Sequence, residues 1–224
     1  MRPVLYIHHR ILIYIIFWMF LLLFLGLIFY FSFSIVGFTP LEILIISAAS
    51  LLGAGINIPV LTLKTNQPVL AVHGIKWMGF DVLVPFYEAQ KVTVAVNLGG
   101  AVVPAIASVY LLATHILILP QIIIAVIITS LFMHIIARPV RGVGIMTPFF
   151  LPPVLAAVTS LILIPSSPVI GAYISGTMGA LIGADLLNLK NIKNLNASFV
   201  SIGGAGIFDG VFMTGLAAAL LAYL

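Results

Sequence analysis

No cysteine occurs in the 224-residue sequence, which excludes disulfides, thiolate metal sites and cysteine nucleophiles. Charge is almost as scarce: five acidic and nine basic residues, so that charged side chains make up 6% of the chain against roughly 25% in a soluble domain. Polar residues are too few to cover a water-facing surface. Neither a His-Glu-x-x-His zinc helix nor a Gly-x-x-x-x-Gly-Lys phosphate loop is present, so no metal and no cofactor is expected.

What the chain has instead is long apolar runs, with 63% apolar residues overall. About 20 such residues are needed to cross a hydrocarbon core of about 30 Å. Hydropathy and the punctuating Gly and Pro residues predict an all-α transmembrane bundle in a single polytopic domain, with spans near 11–33, 41–63, 92–113, 118–137, 146–164, 168–188 and 198–223. The stretch 11–33 is longer than a signal-peptide core and lacks a small-residue cleavage site behind it, so it reads as a retained first span. Residues 64–91 are the longest segment outside the spans. Their β-prone runs Val69–Val72 and Phe80–Val84, separated by Gly74 and Gly79, predict a short cytoplasmic β-hairpin. No soluble catalytic domain fits.

Orientation follows from the basic residues. Arg2, Arg10, Lys64, Lys76, Lys91, Arg138, Arg141, Lys190 and Lys193 all fall on one side of a seven-span arrangement, while the connections 34–40, 114–119 and 165–167 carry none. The positive-inside rule then places the N-terminus in the cytoplasm and the C-terminus outside, in a multi-pass cell-membrane protein. The net charge of +4 reports this orientation; a nucleic-acid partner is not expected. The expected partners are the lipid bilayer and a membrane-protein or peptide substrate.

Two segments place asparagine beside glycine and proline within predicted spans: Gly55-Ile56-Asn57-Ile58-Pro59 and Val96-Asn97-Leu98-Gly99-Gly100, which runs on to Pro104. Broken helices of this kind line transporter sites. Equally, they are kinked helices whose asparagines bond each other.

The acidic residues sort one by one. Glu42 starts span 2, and Asp81 and Glu88 lie in the hairpin, where each is solvated. Asp185, at the end of Gly179-Ala180-Leu181-Ile182-Gly183-Ala184-Asp185, and Asp209, in Gly203-Gly204-Ala205-Gly206-Ile207-Phe208-Asp209-Gly210, are embedded in apolar sequence. Ionisable residues inside spans are costly and mark function by default. Spans 6 and 7 are antiparallel neighbours joined by a short loop containing Asn188, so the two aspartates can meet. An unwound stretch at 201–205 would leave a helix over 206–224, about 28 Å long, with Asp209 in its first turn at the level of Asp185. Two carboxyls that close share a proton, one acting as base toward water and the other as acid. Gly171, Ser175, Gly179 and Gly183 in span 6, and Gly203, Gly206, Gly210, Thr214 and Ala217 in span 7, form small-residue stripes suited to close helix contact. Stripes of this kind also serve packing alone.

The run Gly204-Ala205-Gly206-Ile207-Phe208-Asp209-Gly210 resembles the Gly-x-Gly-Asp segment of the presenilin, signal-peptide-peptidase and prepilin-peptidase group of intramembrane aspartyl proteases. That resemblance implies an aspartate dyad, Asp185 and Asp209, supported by Gly183, Asn188, Gly203, Gly204, Gly206 and Gly210. Two residues separate Gly206 from Asp209 where that group has none, and Ala184 precedes Asp185 where presenilins have tyrosine. Across Ala95–Gly100, Gly183–Leu189 and Gly203–Gly210 the chain also resembles an uncharacterised prokaryotic family of multi-spanning proteins, which implies no activity. Three functions are therefore carried forward: an intramembrane aspartic endopeptidase, a proton- or cation-coupled transporter or channel lined by Asp185, Asp209, Asn57 and Asn97, and a non-catalytic scaffold.

Overall fold

The computed structural model describes residues 4–77, 80–140, 144–194, 197–204 and 209–224, and its described part is predominantly helical. Helix α1 spans Val4–Val36 and α2 Pro40–Gly53; strands β1 (Asn57–Trp77) and β2 (Phe80–Asn97) follow. A π-helical turn over Leu98–Val102 then leads into α3 (Val103–Thr114), and α4 covers Leu119–Ile136. Two short strands, β3 (Arg138–Val140) and β4 (Gly144–Met146), precede α5 (Leu151–Leu163) and α6 (Pro168–Gly179). Helix α6 continues as a π-helix over Ala180–Leu186; a 3-10 segment Leu189–Asn194, β5 (Phe199–Ile202) and α7 (Gly210–Tyr223) complete the chain.

Proline marks where helices begin. It occupies the first turn of α2, α3, α4, α5 and α6, where its missing N–H would have no intrahelical partner and its φ is already helical. Thr39 caps α2: its Oγ1 accepts from Glu42 N at 3.3 Å, and Glu42 Oε2 accepts from Thr39 N at 2.8 Å. Tyr110 of α3 donates to the other oxygen of Glu42 at 2.6 Å, tying the start of α2 to α3. Glu42 thus closes a helix end instead of being merely solvated.

Among the described residues, seven apolar helical segments overlap the seven predicted spans. Three of them, Ile11–Val36, Ile116–Ile136 and Pro168–Leu186, are long and apolar enough to cross a membrane, and Pro40–Gly53, Leu98–Thr114, Leu151–Leu163 and Gly210–Tyr223 are shorter. Four expected boundaries are corrected. Helix α2 stops at Gly53 and the chain is extended from Asn57, whereas 41–63 was expected to be one helix. Gly53, Gly55 and Pro59 interrupt the helix within seven residues, and an edge strand tolerates Pro59 because its N–H side has no ladder partner to lose. Likewise 92–97 is strand, since Val92, Thr93, Val94 and Val96 are β-branched and suit a pleated, half-buried surface. The hairpin expected at 64–91 accordingly extends to Asn57 and Asn97; Gly79 lies outside the described residues. In the fifth and seventh spans, α5 begins only at Leu151, and 198–223 divides into β5 and α7.

The sheet order is β1-β2-β5, with β1 and β2 antiparallel and β5 parallel to β2. Asn57 pairs with Asn97 across the hairpin. Their side chains bond: Asn97 Nδ2 donates to Asn57 Oδ1 at 3.1 Å and to the Ala54 carbonyl at 2.7 Å, while Asn97 Oδ1 accepts from Gly100 N at 2.8 Å. Ser201 of β5 also donates to Asn57 Oδ1. The two asparagines therefore meet on strands, not on kinked helices. Asn97 is fully buried, so Asn97→Ala leaves an acceptor and a backbone donor unsatisfied and is expected to cost about 3 kcal/mol, read as a lower thermal midpoint in detergent.

Helix α6 is the hub. Residues 171–177 are all buried, and the helix packs against α3, α4, α5 and α7. Aromatic rings fill one side, with Phe33 about 6 Å from both Tyr173 and Phe212. Glycine allows the close approaches: a Cβ on Gly171 would lie 2.3 Å from Ser160 Oγ, on Gly179 2.6 Å from Thr129, and on Gly183 2.2 Å from the Ser130 carbonyl. On α7 that role belongs to Gly215, against Thr177, and not to Gly210, whose added Cβ would be 3.9 Å from its nearest neighbour. The expected stripe through Gly203 and Gly210 is broken because Gly203 sits in a turn at φ +69. Sequence inspection missed Gly215.

Candidate functional site

Asp185 and Asp209 arrive from different local structures. Asp185 belongs to the π-helix that prolongs α6, in which Leu187 N bonds the Ile182 carbonyl at 2.9 Å, five residues back. Such wide turns are rare and concentrate at functional sites. The end of the π-helix is held by Asn188, whose Nδ2 donates to the Gly183 carbonyl at 3.1 Å and whose Oδ1 accepts from Asn191 at 2.8 Å. Only 2% of Asn188 is exposed.

Asp209 is the N-cap of α7. Its Oδ1 accepts from Val211 N at 2.9 Å, and its backbone is extended. The helix therefore starts at Gly210, not at residue 206, and Asp209 stands just ahead of the first turn where it was expected within it. An extended segment does precede it, because β5 and the Gly203–Gly204 turn occupy 199–204. A carboxylate at this place meets the positive end of the helix dipole.

Both aspartates line one cavity of about 320 Å³, whose other walls include Gly144 and Ile145 of β4, Ile192, all of β5, and Gly203 and Gly204 of the turn after it. Each aspartate is intermediate in exposure as a residue, and the two are near enough for their charges to interact. Gly203 sets the wall: a Cβ there would fall 2.6 Å from Ala101 N, so glycine lets the end of β5 press against the π-helical turn after β2. Gly204 N closes the turn onto the Ser201 carbonyl at 3.2 Å.

The expected site residues thus divide. Asp185, Asp209, Gly203 and Gly204 share the cavity; Asn188 and Gly183 support the π-helix from behind; Gly210 opens α7. Gly206 lies outside the described residues. Asn57 and Asn97 bond each other and Ser201. Ile145, Ile192 and Phe199 were missed as cavity walls, because a lone apolar side chain in a short connecting segment carries no signal of what it will line.

Residues 51–221 match the model of a family described as a protein of unknown function, DUF1614. The chain belongs to this family. The DUF1614 match takes in both aspartates, the hairpin and the cavity, and omits α1 and most of α2. It bears out the resemblance to an uncharacterised family; no likeness to presenilin-type proteases accompanies it. No curated protein and no solved structure matches the chain.

Proposed function

We propose that the chain crosses the bilayer seven times, N-terminus inside, and hydrolyses peptide bonds of membrane-embedded substrates with Asp185 and Asp209. The observation that carries this reading is the cavity that both aspartates line. Its volume, about 320 Å³, is at the lower end for small-ligand pockets and admits a scissile peptide and a water. One carboxyl is ionised and the other protonated, because two adjacent negative charges repel. The ionised group takes a proton from water as the water oxygen attacks the carbonyl carbon, and the protonated group gives its proton to the carbonyl oxygen. Collapse of the tetrahedral intermediate breaks the C–N bond, with a proton passing to the leaving nitrogen.

A coupled transporter is favoured by no comparable observation. Its expected lining loses Asn57 and Asn97, which are engaged with each other and with backbone.

Cleavage of a panel of single-span peptides by the full chain in liposomes tests the proposal. Wild type is expected to cleave members of the panel, and Asp185→Asn to cleave none. A folded wild type that cleaves nothing overturns it, as does an Asp185→Asn variant that retains activity.

A further inference from the structure

Lys64 and Lys91 are directly opposite each other in the β1–β2 ladder, and both are exposed. Facing residues of an antiparallel pair project from the same side of the sheet with their Cβ atoms about 5 Å apart, and like charges there repel. No ion pair joins either lysine to a carboxylate among the residues whose side chains are described. Thr62 and Thr93, also paired, stand two residues along on that same side. Phe199, the partner of Thr93 in β5, projects there too and is 50% exposed. Two ammonium groups, two hydroxyls and an apolar ring thus share one face. The opposite face is apolar: Leu63 and Val92 pack with Ile192 and Leu189.

We propose that Lys64, Lys91, Thr62 and Thr93 hold the phosphate of an anionic phospholipid, with Phe199 against its acyl chain. A bridging anion converts the repulsion between the lysines into attraction to a shared partner, and the threonines supply neutral donors. The source is a lipid and not free phosphate because apolar exposure surrounds the cations. Ile58 and Val60 of the same strand are 45% and 58% exposed, so apolar surface leads along β1 toward the lysine, as suits a lipid whose headgroup sits at the lysine. The inference rests on the bilayer-crossing reading, which carbonate extraction of membranes tests separately, and is independent of the dyad, since cleavage plays no part in its readout.

Thermal unfolding of the full chain in neutral detergent, with phosphatidylglycerol, phosphatidylcholine or inorganic phosphate added, tests the site. Phosphatidylglycerol is expected to raise the midpoint by about 4 °C over phosphatidylcholine, and inorganic phosphate to leave it unchanged. Lys64→Gln/Lys91→Gln is expected to lose that shift, with its midpoint in detergent alone equal to wild type or higher because the repulsion is gone. Lys64→Arg/Lys91→Arg is expected to keep it, as is Lys190→Gln/Lys193→Gln, which removes two exposed charges elsewhere. Should the double glutamine variant not fold, Lys64→Gln alone, on the edge strand, gives the same reading. Equal shifts from the two lipids, an equal shift from inorganic phosphate, or equal losses from the two lysine-to-glutamine pairs would each overturn the proposal.

Discussion

Asp209→Asn is expected to remove peptide cleavage, by about a thousandfold or more, while leaving the protein folded. The separation is available because Asp209, besides its proposed catalytic role, caps a helix. Its Oδ1 accepts the Val211 N–H and caps α7, and asparagine caps a helix about as well as aspartate. Asparagine has no ionisable carboxyl and so serves neither as base nor as acid. Asp209→Ala loses the cap as well and is expected to cost about 1 kcal/mol of stability in addition. Asp185→Asn should reduce cleavage as far as Asp209→Asn, and the double variant no further, because members of one catalytic unit do not contribute additively. The liposome assay paired with thermal unfolding of each variant checks all four expectations. Retained cleavage in Asp209→Asn would exclude the dyad.

Gly183→Ala is expected to damage both stability and activity. The new Cβ would lie 2.2 Å from the Ser130 carbonyl oxygen and 2.6 Å from Met133 Cβ. Backbone of α4 cannot yield as a flexible side chain can, so the π-helix must move outward. Overpacking of this kind costs about 2 kcal/mol. Asp185 is two residues away on the same π-helix and moves with it, and a misplacement of about 1 Å in a reacting group lowers rate by about a hundredfold. The matched control is Gly210→Ala. Among the described residues a Cβ there meets only Thr147 Oγ1, at an ordinary 3.9 Å, and alanine favours the first turn of α7, so stability is expected to rise by about 0.5 kcal/mol. Thermal midpoints and cleavage rates of the two variants give the comparison.

Much of the helical framework was legible in the chain, and the reason is local. Prolines at 40, 104, 120, 152 and 168 stand where helices begin, and each apolar run between them contains a helix. What hydropathy could not register was the change from helix to strand at Asn57 and Asn97. Apolar content is the same in either conformation; only β-branching and Pro59 separated them. The pairing of the two asparagines was legible as chemistry but not as geometry, since a cross-strand register depends on the turn that sets it. The π-helix around Asp185 left no mark, because the mostly apolar sequence of Ala180–Leu186 reads the same in an α- or a π-helix. Asp209 as an N-cap was within reach: aspartate before Gly-Val-Phe at the head of an apolar run is a helix-start signal. The expectation of a longer helix from residue 206 obscured it.

Helix α2 has 14 residues and so rises only about 21 Å, short of a hydrocarbon core of about 30 Å. In a bilayer, the remaining depth on that flank falls to extended chain that carries an edge of unpaired backbone groups, which hydrocarbon does not tolerate. Lipid relieves such hydrophobic mismatch most cheaply by thinning. The protein is therefore expected to thin the bilayer locally, with water drawn toward the hairpin.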